Sequence, residues 1–134
     1  MNPDISHIFK AYDIRGLSPS ELNPPLARRI GIAFVDYLKA RNIAIGRDMR
    51  DTSPDLATAF IEGARSRGAN VIDIGMVSTD MLYFAVASQS LDGGAMLTAS
   101  HNPKQYNGIK LVRAGAVALS GDAGIKEVKD GALG

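Results

Sequence analysis

The sequence predicts an α/β fold, a mixed, mostly parallel sheet packed between helices in a single domain. Two observations carry that expectation. Short apolar runs bounded by polar or glycine residues alternate three times with stretches of helical apolar spacing, the pattern of strands joined by crossover helices. The runs Ala95-Met96-Leu97 and Ile109-Lys110-Leu111-Val112 are joined by a loop too short to hold a helix. The later run must therefore return antiparallel or sit apart, which makes the sheet mixed.

Taken in order, Phe9 to Gly16 roughly alternates apolar and polar residues before a glycine, a short strand or extended segment entering a turn. Spacing alone puts Phe9, Tyr12 and Ile14 in the core and leaves Lys10, Asp13 and Arg15 solvated. Asn23-Pro24-Pro25 is a helix start, a capping side chain followed by prolines where the first N–H groups need no partner. Leu26, Ile30, Ala33, Phe34, Tyr37 and Leu38 keep helical spacing, and the helix is expected to end near Arg41-Asn42. Ile43 to Gly46 is a short buried strand opening into the charged loop Arg47 to Pro54. Ser53 is expected to cap the next helix, whose buried face is Leu56, Phe60, Ile61 and Ala64 and whose stop signal is Gly68. Val71 to Gly75 is another strand. Ser78 or Thr79 then caps a helix through Met81, Leu82, Phe84, Ala85 and Ala87. Ala123, Ile125 and Val128 suggest a last helix that stops at Gly131 to Gly134, so that the chain reads as cut before any closing strand. No internal repeat or low-complexity segment is found.

Composition narrows the function classes. The 134 residues are one domain's worth, 46% hydrophobic and 22% charged, as in an ordinary globular domain. A formal charge of +1 gives no case for nucleic-acid or membrane attraction. The chain has no cysteine, which excludes disulfides, thiolate metal sites and thiol nucleophiles. No apolar run reaches the ~18 residues of a membrane span, and the residues after Met1 lack the basic-then-apolar pattern of a secretory leader. A cytoplasmic protein is the expectation.

The stretch Thr98 to Lys110 holds the candidate chemistry. Its small polar residues, one proline and one glycine lie between two apolar runs, so Ser100 sits where a buried strand runs out into a loop. Ser100-His101 does not read as a hydrolase dyad, because neighbours in an extended segment point opposite ways and no G-x-S-x-G elbow surrounds the serine. A phosphoryl carrier fits better. A phosphate on Ser100 would bring a charge of about −1.5 to −2, and Lys110, Arg15 and Lys104 are the cations available to meet it. Asp48, Asp51 and Asp13 are metal ligands by type, yet their spacing matches no metal site, and solvated surface acids are the plainer reading. Neither GxxxxGK[ST] nor GxGxxG is present, so no nucleotide cradle is indicated.

Thr98-Ala99-Ser100-His101-Asn102-Pro103, continued by Tyr106-Asn107-Gly108-Ile109-Lys110, resembles the phosphoserine signature of the α-D-phosphohexomutases. Phe9 to Gly16 resembles the amino-terminal motif of their bacterial phosphomannomutase/phosphoglucomutase branch. Gly46-Arg47-Asp48-Met49-Arg50 and Leu82-Tyr83-Phe84-Ala85 fall where that branch has similar segments. The resemblance implies that residues 1–134 are the first, phosphoserine-bearing domain of a four-domain enzyme that interconverts 1-phospho and 6-phospho hexoses, mannose or glucose, through a bisphosphosugar. It implies Ser100 as phosphoserine, with an oxygen of its phosphate on Mg²⁺, and Arg15 and Lys110 as charge stabilisers and acid/base candidates. His101, Tyr12 and Asn102 would contact phosphate or substrate. The implied partners are a phosphohexose, a bisphosphosugar activator and three further domains carrying the acidic metal loop, so this chain alone is expected to be inactive and to expose apolar surface. Asp80 departs from the family's usual proline, with a small effect expected on that helix start. A phosphoglucosamine mutase domain and a stand-alone, non-catalytic sugar-phosphate- or protein-binding domain are the alternatives.

Overall fold

The computed structural model describes residues 5–134; the leader reading at Met1 to Asp4 lies outside the described residues. A 3-10 turn at Ser6–Ile8 precedes β1 (Ile14–Leu17), and α1 (Pro24–Leu38), β2 (Asn42–Arg47), α2 (Ser53–Ser66) and β3 (Asn70–Met76) follow. Next come α3 (Thr79–Ser88), β4 (Gly93–Leu97), β5 (Tyr106–Arg113), the two-residue β6 (Val117–Ala118) and α4 (Ile125–Leu133). The sheet runs β1-β5-β4-β2-β3, with β6 also on β5. β3, β2 and β4 are parallel, whereas β5 runs antiparallel to β4, β1 and β6. The fold is thus the mixed, mostly parallel α/β domain that the alternation predicts.

Strand alternation sorts the sheet into two faces. Ile43, Ile45, Ala95, Leu97, Ile109 and Leu111 point to one side and form the main core with α1, α2 and α4. Ala44, Met96 and Val112 point to the other side and meet Leu82 and Val86 of α3. α1 and α2 approach closely where Gly31 lies on the Phe60 carbonyl and Gly63 on the Arg28 carbonyl. Phe34 and Phe60 pack between them with ring centroids 6.0 Å apart. Around α3, Met76, Met81 and Phe84 remain well exposed.

The local signals behave as their chemistry dictates, with instructive exceptions. The Asn23 side chain accepts the Leu26 N–H at 3.0 Å, and Ser78 accepts that of Met81 at 3.1 Å. Asp80 stands in the first turn of α3, where a carboxylate suits the helix dipole. The structure corrects the end of α1: it stops at Leu38, because Lys39 turns left-handed at φ 52° and Ala40 folds under the core. Thr52, not Ser53, precedes α2, and Ser53 is fully buried. α2 ends at Ser66, just before Gly68 at φ 88°, and its Ile61 is only half-buried. The last helix runs through Gly131 and Ala132 to Leu133, with Ile125, Val128 and Ala132 in the main core. Phe9 is half-buried and Ile14 fully so, but Tyr12 is exposed and Asp13 buried, the reverse of what alternation suggests.

Candidate functional site

The carboxyl ends of the three parallel strands converge at one edge of the sheet, the usual place for a ligand in an open α/β fold. The segment after β2 is fastened there by the Asp48 N–H to the Leu97 carbonyl at 3.0 Å. The segment after β3 is fastened by the Val77 N–H to the Arg47 carbonyl, also at 3.0 Å. The segment after β4 is held by the Thr98 N–H to the Gly108 carbonyl at 2.8 Å. Together they enclose a cleft of about 570 Å³ whose polar lining includes Asp48, Arg50, Thr52, Ser78, Thr79, Thr98, Ser100, Asn102 and Lys104. The N-termini of α2 and α3 both open near it, and their partial positive charge favours an anion.

Ser100 stands exposed on this cleft with φ 55°, in the left-handed region that costs a non-glycine residue. The turn is set by the Thr98 hydroxyl, which accepts the Ser100 N–H at 2.9 Å, and by the Asn102 N–H on the Ala99 carbonyl at 3.1 Å. Among the described residues neither the Ser100 hydroxyl nor the exposed His101 ring has a hydrogen-bond partner, so the two form no hydrolase dyad.

Two cations gather on the far side of the loop. Arg15 donates from Nη1 to Asn102 Oδ1 at 2.7 Å and from Nη2 and Nε to Asp13 Oδ2 at 2.5 and 3.2 Å. Lys110 stands between Ile109 and Leu111 on the α3 face of the sheet, with Nζ 3.7 Å from the same Asp13 oxygen. Asp13 is 5% exposed, so this carboxylate holds both cations in place from a largely dry position. Arg15, Lys110, Asp13, Tyr12, Lys10, Tyr106 and Asn102 line a second cleft of about 520 Å³. Asn102 belongs to both clefts, so the serine loop is the wall between them. Tyr83 of α3 lies close to this group: burial raises its phenol above the ordinary value, and the charges of Asp13 and Asp80 add to that.

The structure joins Asn102 to Arg15, and Arg15 to Lys110 through Asp13, but sets this group across the loop from Ser100; Tyr12 is exposed in the second cleft and His101 is exposed beside the serine. Lys104 lines the first cleft with Ser100. Of the three acids considered as metal ligands, Asp13 is occupied by Arg15 and Lys110, and Asp48 by Arg50 and Ser53. Among the described residues no three metal-ligating side chains come together.

Sequence reasoning missed the residues beneath the loop. Asn107, fully buried, donates to Thr52 Oγ1 at 2.8 Å and Ser53 Oγ at 2.9 Å. Ser53 Oγ in turn donates to Asp48 Oδ1 at 2.7 Å. Asp48 Oδ2 accepts Arg50 Nε at 3.2 Å, and the rest of the Arg50 guanidinium reaches the loop carbonyls. The Asn107 bonds and the Arg50 bonds to the loop carbonyls join residues 50 to 56 apart, which no motif or period in one sequence records.

A family model, phosphoglucomutase/phosphomannomutase alpha/beta/alpha domain I, matches residues 6–132. The chain is 50% identical over 121 residues to a phosphomannomutase of Salmonella montevideo, a match covering 90% of this chain and 26% of the relative. A Klebsiella pneumoniae phosphomannomutase is 47% identical over 121 residues, 77% of its own length. A solved structure of a phosphoglucomutase/phosphomannomutase family protein from Burkholderia thailandensis superposes with a TM-score of 0.89 at 38% identity, covering 97% of this chain and 30% of that one. The chain thus spans about a quarter of the length of the Salmonella relative.

Proposed function

The chain belongs to the phosphoglucomutase/phosphomannomutase family through its domain I, and from that premise we propose that it is the phosphoryl-carrying domain of a phosphohexose mutase. Ser100 is the carrier. Its Oγ–P bond breaks as a hydroxyl oxygen of a phosphohexose takes the phosphoryl group and gives a bisphosphosugar. The sugar's other phosphoryl group then returns to Ser100 Oγ, its own O–P bond breaking, so phosphate and proton balance over the cycle. Arg15 and Lys110 hold positive charge beside the loop, as a transferring phosphoryl group needs, and are acid/base candidates for the hydroxyl proton. Asn102, Tyr12 and His101 are substrate-side contacts. The observation that carries this reading is the Ser100 hydroxyl itself, exposed, without a hydrogen-bond partner among the described residues and presented by a left-handed backbone on a loop whose Asn102 is bonded to Arg15.

The Mg²⁺ of this family finds no cage in the described residues, so no step here is routed through it. A phosphate on Ser100 would offer one oxygen ligand, the others coming from an acidic loop outside residues 1–134. The remaining three domains, a bisphosphosugar activator, a cytoplasmic setting and inactivity of this chain alone belong to the same proposal. The test takes the complete gene product with glucose 1-phosphate or mannose 1-phosphate, Mg²⁺ and a bisphosphosugar. Expected are turnover, one phosphoryl group mapped to Ser100 by mass spectrometry, and loss of both in Ser100→Ala. A phosphoryl group on another residue, or turnover by Ser100→Ala, overturns the assignment. A glucosamine phosphate outcompeting both hexoses moves the sugar to the glucosamine branch, and a complete product with no turnover leaves a binding domain.

A further inference from the structure

Arg50 spends every donor it owns. A guanidinium has five N–H groups in a fixed planar fork. Here Nε donates to Asp48 Oδ2 at 3.2 Å, Nη1 to the carbonyls of Pro103 and Tyr106 at 2.8 and 3.0 Å, and Nη2 to those of Ser100 and Asn102 at 2.9 and 2.8 Å. Five donors meet five acceptors, and four of the acceptors are main-chain oxygens of a single loop, 50 to 56 residues away in sequence. The side chain is 11% exposed although it lines the serine cleft. An arginine in a phosphate-binding cleft is ordinarily read as a ligand for that phosphate. This one has no N–H left to give.

We infer that Arg50 is the positioning residue of the serine loop, fixing the angle at which Ser100 presents its hydroxyl. One of its bonds goes to the carbonyl of Ser100 itself, so the strained φ of 55° is clamped from the inside. The clamp is grounded: Asp48 holds the guanidinium by Nε and is held in turn by the Ser53 hydroxyl and the Arg50 N–H at 3.1 Å. Lysine cannot replace this. Its ammonium is a point charge with three donors and spans neither carbonyl pair in the plane of the fork. The inference deepens the proposed carrier role of Ser100 and rests on it.

The test compares Arg50→Lys, Arg50→Gln and, as a surface control, Arg67→Gln, which removes an exposed ion pair with Asp36. In residues 1–134, amide hydrogen exchange is followed at Ser100, Asn102 and Tyr106, whose N–H groups are bonded inside the loop. Both Arg50 variants should exchange there about tenfold faster or more, since several hydrogen bonds to a charged group are lost together. The β4 and β5 ladder amides and the Arg67→Gln chain should match the wild type. Unchanged loop protection in Arg50→Lys overturns the inference, and so does acceleration spread equally over β4 and β5, which would make Arg50 a general stabilising residue. In the complete gene product, Arg50→Lys should lower kcat about tenfold or more, as misplaced reacting groups do, with KM for the hexose phosphate within about twofold. Wild-type kcat in Arg50→Lys beside a dead Ser100→Ala overturns this inference alone. Turnover by Ser100→Ala with a loosened loop in Arg50→Lys overturns the carrier role and leaves the clamp standing.

Discussion

Replacing Asn107 by alanine should cost the domain about 3 kcal/mol, although the residue touches no ligand. The side chain is 0% exposed and makes three hydrogen bonds. Two run from Nδ2 to the hydroxyls of Thr52 and Ser53, and one runs from the Gly108 N–H to Oδ1 at 2.8 Å. At a net ~1 kcal/mol each, their loss accounts for about 3 kcal/mol, with a donor left unpaired in a dry place pushing upward. For 134 residues, an unfolding entropy of about 2.1 cal/mol/K per residue converts that into a melting point lower by about 10 °C. Asn107→Asp is the sharper variant. It keeps an acceptor for Gly108 but donates to neither hydroxyl, and it sets a second carboxylate one hydroxyl away from Asp48, so it should be at least as damaging. Asn70→Ala serves as control, since Asn70 is exposed with a single side-chain bond to Asn42 at 3.1 Å, and should stay within about 0.5 kcal/mol. Urea unfolding of the three variants measures this. A loss below about 1 kcal/mol for Asn107→Ala would refute the argument that buried polar partners tie the loop to α2.

Gly63→Ala places a methyl group on the Arg28 carbonyl and must push α1 from α2; a loss of about 1 to 3 kcal/mol in thermal or urea unfolding is expected, and none would mean the crossing is slack. At Ser100, glycine relieves the left-handed backbone whereas alanine keeps it, so Ser100→Gly should unfold at higher urea than Ser100→Ala, by about 1 kcal/mol. Asp92 accepts the N–H groups of Asn42 and Arg41, which hold its carboxyl below the ordinary value. A folded value below the unfolded one gives stability that is complete above about pH 4 and is lost as pH falls through the folded value. The stability gap between wild type and Asp92→Asn should therefore be flat from neutral pH down to about 5 and close in more acid solution; a gap that widens there contradicts the sign.

How much of this could be read from one sequence depends on how far each signal reaches along the chain. Asn23-Pro24-Pro25 and the apolar spacing after it announce α1 because caps and periods are local, and the short loop after Leu97 announces an antiparallel β5 for the same reason. The end of α1 was hidden because Lys39 takes the left-handed turn usually marked by glycine. Ser53 has the look of a cap, yet Asp48 offers a charged acceptor five residues back and draws the hydroxyl inward. Ser100, Asn102, Arg15 and Lys110 were legible through the motifs they sit in. Asp13 was not, since alternation on a strand puts it in solvent while two cations pull it under the loop.

The same contrast explains why the site holds its shape. A loop that only had to connect β4 to β5 would be cheapest with glycine at the left-handed position and its carbonyls in water. Here a serine occupies that position, and four carbonyls turn inward onto one guanidinium. Strain of this kind persists only where the surroundings over-determine it, and the Asn107, Ser53, Asp48 and Arg50 relay does so from β5 and from the stretch leading out of β2 into α2. Packing supplies no reason for the hydroxyl, which has no hydrogen-bond partner among the described residues. What the strain secures is a hydroxyl held outward at one angle, on a loop whose far side is backed by Arg15 and Lys110, both held by one buried carboxylate.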